Sequence, residues 1–144
     1  MINVRASVNM RISALVTDGT PVLTQPHQTW DDPCFRLEWG DAEVPRSAGF
    51  LARNLRIHFR GTTGERDAEL KMRAIIRGLG LVNPLSVATV QLYDYASSTT
   101  STTPAGVAKV ERSPRGVSNI TPGDDSPNMR HLVFNVVIVY QQED

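Results

Sequence analysis

The sequence predicts a single α+β domain in which a mainly antiparallel or mixed β-sheet packs against two helices. Three observations support this fold class. The chain has 144 residues, the length of one domain, and its apolar content of 40% is enough for a core. Residues 64–79 have the periodicity of an amphipathic helix, and the regions around them alternate between apolar and polar side chains. We therefore expect one domain over residues 1–144, with helices at about 3–17 and 64–79.

The second of these helices has the clearest pattern, T-T-G-E-R-D-A-E-L-K-M-R-A-I-I-R-G-L-G. Thr62 and Glu65 have the spacing of a capping box, in which each side chain bonds the backbone N–H of the other residue. Acidic residues fill the first turn, and Gly78 or Gly80 can end the helix. Five apolar residues fall on one continuous face. They are Ala68, Met72, Ile75, Ile76 and Leu79.

The N-terminal stretch I-N-V-R-A-S-V-N-M-R-I-S-A-L-V, Ile2 to Val16, allows two interpretations. Its even-numbered positions are apolar, as in a half-buried strand. A strand of this length would extend roughly 50 Å, whereas a globule of this size is less than about 40 Å across. A helix would span only about 22 Å and would direct one apolar stripe at the sheet, with Arg5 and Ser13 outside. The stripe consists of Val4, Val8, Ile12 and Leu15.

Strands are expected where short alternating segments lie between breaks. Two precede the second helix, D-D-P-C-F-R-L-E-W-G and A-R-N-L-R-I-H-F-R-G, and three follow it. The first two of these three are S-V-A-T-V-Q-L-Y-D-Y and G-V-A-K-V-E-R. The third, R-H-L-V-F-N-V-V-I-V-Y-Q, is apolar on both faces. It should therefore be central in the sheet, covered by helix on one side and by another element or a neighbouring subunit on the other. Polar, Pro- and Gly-containing stretches predict mobile loops at about 96–106 and 113–129.

The net charge of zero hides two oppositely charged segments. Residues 18–45 carry a net charge of −5, and residues 46–77 carry +5. These segments can neutralise each other within the fold, or they can form complementary surfaces for head-to-tail association of subunits. Thirteen of the 15 basic residues are arginine, which suits bidentate pairing at an interface.

The chain lacks the motifs of an enzyme, so we predict no catalytic residues, no metal and no cofactor. The glycines at 61–64 lack the lysine of a phosphate-binding loop, and His27, His58 and His131 are far apart in sequence. Cys34 is the only cysteine and lies in a strand pattern, which favours a buried structural thiol over a nucleophile. Neither a membrane-spanning apolar run nor a signal-peptide pattern occurs, so we expect no membrane partner.

A basic row on one face of the second strand is the candidate binding surface. Because alternate residues of a strand share a face, Arg56, His58 and Arg60 should lie together, with Arg53 nearby. The acidic segment is the expected counterpart at a subunit interface. It contributes Asp31, Asp32, Glu38, Trp39, Asp41 and Glu43. The alternative is a small nucleic-acid-binding module that uses the basic row, although no aromatic residues are interleaved with it for base stacking.

The order of these elements resembles that of the tail terminator, or tail-completion, proteins of long-tailed bacteriophages. The resemblance is carried by V-R-A-S-V-N-M-R-I, by D-D-P-C-F-R-L-E-W, by N-L-R-I-H-F-R-G with the helix after it, and by H-L-V-F-N-V-V-I-V-Y. It covers most of the chain. It implies an α+β subunit whose sheet is backed by two helices, one of them at the N-terminus.

The resemblance also implies a structural protein of the virion tail or neck, assembled in the host cytoplasm. Such subunits form a homo-oligomeric ring, typically of six, that caps the tail tube and joins it to the neck. The implied partners are the tail tube protein and a neck or head-completion protein, with genomic DNA passing through the lumen. A neck or head-closure protein is the alternative within the same class.

Overall fold

A computed structural model describes residues 4–25, 29, 31–47, 49–94, 104–120 and 129–141. It is a single α+β domain with two helices and a curled, mixed sheet, which confirms the predicted fold class. In chain order the elements are α1 (Val4–Leu15), β1 (Val22–Leu23), β2 (Cys34–Trp39), β3 (Val44–Pro45), β4 (Phe50–Thr62), α2 (Glu65–Leu79), β5 (Val87–Tyr93), β6 (Pro104–Ile120) and β7 (Met129–Gln141). The strands follow the order β1-β2-β4-β7-β6-β5, and β3 also pairs with β4. Among the strand pairs of the described residues, only β1–β2 is parallel.

The α2 helix has the predicted apolar face but not the predicted capping box. All five residues of that face are buried. Gly64 is the N-cap and offers no side chain, while Thr62 lies in β4, where its N–H and hydroxyl both donate to Asp32. The group that would cap the helix is therefore used to hold β4 beside β2. Gly80 ends the helix with a φ of 80°, a left-handed conformation that suits glycine, and its N–H donates to the carbonyl of Arg77.

The α1 helix confirms the helical interpretation of the N-terminal stretch. The predicted stripe packs against the core, with Val8 and Ile12 fully buried and Val4 and Leu15 partly buried. Ser13 is exposed as predicted, whereas Arg5 is half-buried. The apolar alternation is misleading because Met10 is 43% exposed, whereas Ser7 is buried. Ser7 accepts a hydrogen bond from the backbone N–H of Tyr93.

The sheet curls around α1, which contacts strands at both of its ends. The Trp39 indole N–H in β2 donates to Asn9 Oδ1 at 2.9 Å, and the Tyr93 N–H in β5 donates to Ser7 Oγ at 2.9 Å. Since β2 and β5 lie toward opposite ends of the strand order, a flat sheet would hold them too far apart for one helix to reach both. The curl thus forms a half-barrel with the apolar core between the sheet and the helices.

The β7 strand is central, as its sequence predicts, and lies between β4 and β6. Its helix-facing residues are all buried; they are Leu132, Phe134, Val136, Ile138 and Tyr140. On its other face Val133 and Val139 are also buried within this one chain. Val137 on the same face is only half-buried and lines an open cleft, so this chain covers the second face of β7 in part.

The β6 strand corrects part of both predicted loops, since residues 104–106 and 113–120 belong to it. It can include Pro114 and Gly116 because its pairing with β7 is interrupted between Arg112 and Val117. A residue in such a bulge needs no ladder hydrogen bond, so proline costs little there. The remainder of the predicted loops, residues 96–103 and 121–128, lies outside the described residues.

Candidate interface on the outer face of the sheet

The predicted basic row lies on the outer face of the sheet, which we define as the face opposite the helices. Alternation along β4 places Leu55, Ile57 and Phe59 in the core, and Arg56, His58 and Arg60 consequently share the outer face. Antiparallel pairing with β2 sets Glu38 opposite Arg56 and Arg36 opposite His58. The row is thus not uniformly basic, because an acidic side chain lies within it.

A chain of hydrogen bonds crosses this face from β2 to β7. Glu38 Oε1 lies 3.0 Å from His58 Nε2, and His58 Nδ1 lies 2.9 Å from His131 Nε2. Because a carboxylate can only accept, His58 carries its proton on Nε2 and accepts at Nδ1 from the Nε2–H of His131. We call these three residues the outer-face triad.

The outer-face triad is a carboxylate with two neutral imidazoles at neutral pH. Burial, opposed by the hydrogen bond to Glu38, holds the pKa of His58 below its ordinary value. Burial, with the adjacent His58 and Arg60, lowers the pKa of His131 to about 4. The hydrogen bond from His58 lowers the pKa of Glu38, which is therefore ionised. His58 and Glu38 are joined by a hydrogen bond rather than by an ion pair between two full charges.

Arg53 and Trp39 lie toward the helix side of the sheet, apart from the basic row Arg56, His58 and Arg60. The guanidinium of Arg53 lies 5.7 Å from the centre of the Trp39 ring, and its Nε–H donates to the carbonyl of Gly40 at 2.9 Å. Trp39 is 8% exposed and bonds Asn9 of α1. These two side chains close one end of the core. The alternation along β4 accounts for this position, because Arg53 has the same parity as the core residues Leu55, Ile57 and Phe59.

The other acidic candidates fall in two separate places, Asp31 and Asp32 before β2 and Asp41 and Glu43 after it. Asp32 accepts two hydrogen bonds from Thr62, at 2.7 and 2.6 Å, and these hold its pKa below the usual range. Asp31 and Asp41 are exposed. Glu43 is also exposed and accepts a hydrogen bond from Tyr140, whose pKa burial and this carboxylate raise to about 12.

The two charged segments partly neutralise each other within the fold. Lys71 Nζ lies 2.6 Å from Asp18, and Arg56 lies 3.7 Å from Glu38. Each pair joins the acidic segment to the basic segment, which supports the first of the two interpretations of the charge pattern. The Lys71 contact also lowers the pKa of Asp18 far below its ordinary value.

A cleft of about 740 Å³ lies on the outer face and extends from the end of β2 to the middle of β6. Its lining is polar and carries both charges, including Glu38, Arg46, Arg56 and Glu111. Arg46 spans it, with its guanidinium 2.8 Å from Glu111. This lining can bind polar groups, but it is not the continuous basic surface that a nucleic-acid backbone would require.

The other residues considered for catalysis or metal binding are Cys34 and the histidines. Cys34 is fully buried, and burial raises the pKa of its thiol, as expected for a core residue rather than a nucleophile. Within the described ranges no three His, Cys, Asp or Glu side chains are grouped so that they could hold a metal ion. His27 lies outside those ranges.

Sequence reasoning missed the contact between His58 and His131, which are 73 residues apart. The only signal for it would have been the register of β4 against β7, which sets Arg60 opposite His131 and places His58 diagonally next to it.

Comparison with known proteins gives no assignment for this chain. No protein-family model matches it, and no curated protein is significantly similar to it in sequence. Neither helix of the described structure is long and apolar enough to cross a membrane.

Proposed function

We propose that this protein is a structural subunit of a phage-like tail, a tail terminator that assembles into a ring on the end of the tail tube. The observation that carries the proposal is the helical N-terminus, followed in order by β2, β4 running directly into α2, and a central closing strand. This is the element order that the resemblance to tail terminator proteins implies. A strand at residues 4–15 would have removed that support.

Features of the surface support a role in assembly rather than in catalysis. The loop after α2 exposes Val82 and Leu85, and β5 begins with the exposed Val87; these side chains are 63%, 93% and 51% exposed. Within the described part of the chain, β5 pairs on one side only, with β6. Open strand edges next to exposed apolar side chains favour association with other chains.

The test is to measure the mass of the purified protein by light scattering, alone and after addition of tail-tube subunits. We expect a closed oligomer that binds the ends of tubes and stops their elongation, visible by negative-stain electron microscopy as a cap. A monomer that leaves tube length unchanged would overturn the proposal. Binding to filled heads but not to tubes would assign the protein to the neck instead.

A further inference from the structure

A groove of about 460 Å³ lies between α2, the second half of β6 and the start of β7. We call it the α2–β6 groove. Buried residues of the core form its floor: Ala68, Met72, Ile76 and Leu132. Val82 and Val117 form exposed apolar walls, at 63% and 41% exposure. The groove can therefore accept an apolar side chain without displacing the core.

Arginines dominate the rim of the groove. Four of them, Arg73, Arg77, Arg112 and Arg130, face only two acidic residues, Glu65 and Glu69. Arg112 is held in place, since it donates to the carbonyls of Leu81 and Val82 and its guanidinium lies 5.3 Å from the centre of the Phe134 ring. Arg73 and Arg77 are exposed, so the rim presents positive charge to solvent.

Arg130 gives an independent indication that the groove binds an acceptor. Its Nε–H is buried, and no described residue accepts a hydrogen bond from it. A buried donor without a partner costs free energy, because it has lost its water without gaining another acceptor. A carboxylate in the groove would satisfy this donor.

The groove adjoins an open edge of the sheet. Pairing of β5 with β6 stops at Val87 and Glu111, whereas β6 continues to Ile120. Over Val117–Ile120, β6 pairs with β7 on one side, and no described strand occupies its other side. Alternate backbone N–H and C=O groups there are open to an added extended segment. Val117 and Asn119 line the groove itself, so a segment added to this edge would lie along it.

We infer that the α2–β6 groove and the open edge of β6 bind the extended acidic segment Asp41–Pro45 of a second copy of this chain. The inference rests on the proposed function and names the contact that would join neighbouring subunits. Every residue from Asp41 to Ser47 is exposed, and within this stretch Val44 and Pro45 already form the short strand β3. Asp41 and Glu43 supply carboxylates for the arginine rim, and Val44, 55% exposed, supplies the apolar side chain.

The positions of the two surfaces suit head-to-tail assembly. β3 pairs with β4 at Leu51 and Ala52, the residues whose other side pairs with β7. The acidic segment therefore lies on the β2 side of the strand order and the groove lies on the β6 side. A contact between two different surfaces leaves one groove and one segment free on each pair of subunits, so further subunits can add and a ring forms where the rotation closes.

Charge reversal of each surface tests the inference. The groove-reversed variant carries Arg73→Glu and Arg77→Glu, and the segment-reversed variant carries Asp41→Lys and Glu43→Lys. All four positions are exposed, so both variants should keep the wild-type circular dichroism spectrum. We expect each variant alone to raise the apparent dissociation constant of the oligomer by at least about 100-fold, because like charges then face each other. Arg66→Glu, on the same helix but outside the groove, is the matched control and should assemble normally.

An equimolar mixture of the two variants gives the decisive measurement. Each reversed surface then meets an opposite charge on its neighbour, so subunits that cannot assemble alone should form a ring of alternating variants, seen by light scattering. Failure of the mixture to assemble, with both variants folded, would overturn the inference and assign the groove to another occupant such as the tube protein. Unimpaired assembly of either variant would also overturn it while leaving the proposed function intact. If the wild-type protein neither oligomerises nor caps tubes, the proposed function itself fails.

Discussion

The helix face and the outer face of the sheet are built by the same strands but are stabilised by different interactions. On β4, Ile57 is completely buried beneath the helices, whereas the side chain of its neighbour Arg56 is 63% exposed on the outer face. The helix face is held together by close apolar packing, and the outer face by hydrogen bonds and ion pairs such as Glu38–His58 and Arg46–Glu111. Apolar burial contributes more free energy than exposed ion pairs do. The helix face should therefore determine stability, and the outer face should tolerate change.

Truncation of two neighbouring residues on β4 should give the largest difference between the faces. We expect Ile57→Ala to lower the free energy of unfolding by about 2–5 kcal/mol, because it leaves a cavity in the core. Arg56→Ala should lower it by less than about 1 kcal/mol, because its contact with Glu38 is long and solvated. Urea unfolding followed by circular dichroism measures both. Equal losses in the two variants would contradict the comparison.

The pH dependence of stability should come in part from the outer face. The pKa of His58 is lowered, and that of His131 is lowered from 6.5 to about 4, so the unfolded chain binds protons that the folded chain does not. The folded protein therefore has its full stability, as far as these histidines are concerned, at pH values above the ordinary histidine pKa. It loses part of that stability as the pH falls toward 4. We expect His131→Gln to reduce the loss between pH 7.5 and 4.5 by about 1–2 kcal/mol, less than full linkage because the side chain is partly solvated.

Glutamine is the informative replacement for His131 because its amide N–H can still donate to His58 Nδ1 without taking up a proton. Urea unfolding at the two pH values measures the difference. Carboxylates with lowered pKa values, such as Asp32 and Glu38, should keep their own contribution in both proteins. The same decline in variant and wild type would show that His131 does not contribute.

Removal of the ion pair across the outer cleft should have the smallest effect. Arg46 and Glu111 are 44% and 29% exposed, so solvent screens their 2.8 Å contact. We expect Arg46→Ala to change the free energy of unfolding by less than about 1 kcal/mol, and added salt to reduce the difference further. A loss of several kcal/mol would show that the outer face contributes as much to stability as the apolar helix face does.

The spacing of apolar residues along the sequence correctly predicted α2 and β4. The α2 helix followed from five apolar residues at helical spacing, and β4 followed from alternation before it. The α1 helix needed an argument from length, because its polar residues Ser7 and Asn9 bond strands that are distant in sequence. Such contacts override a weak periodicity, and they cannot be read from the segment itself.

The two most informative sites could not be predicted because they depend on strand pairing. The contact between His58 and His131 requires the register of β4 with β7. The α2–β6 groove requires a strand through residues 113–120, where proline and glycine indicated a loop. Composition identifies breaks in a sequence, but it does not distinguish a loop from a bulge that lets a strand continue.

The bulge in β6 has a consequence for how this strand can change during evolution. Arg112 pairs with Val136 and Val117 pairs with Phe134, so five steps along β6 match two along β7. The helix-facing positions are therefore even-numbered before the bulge and odd-numbered after it. Gaining or losing two residues here preserves which side chains face the helices, whereas the loss of one places Ser118 instead of Val117 opposite Phe134. The bulge lets the second half of β6 vary in length and sequence while the first half keeps its register in the core.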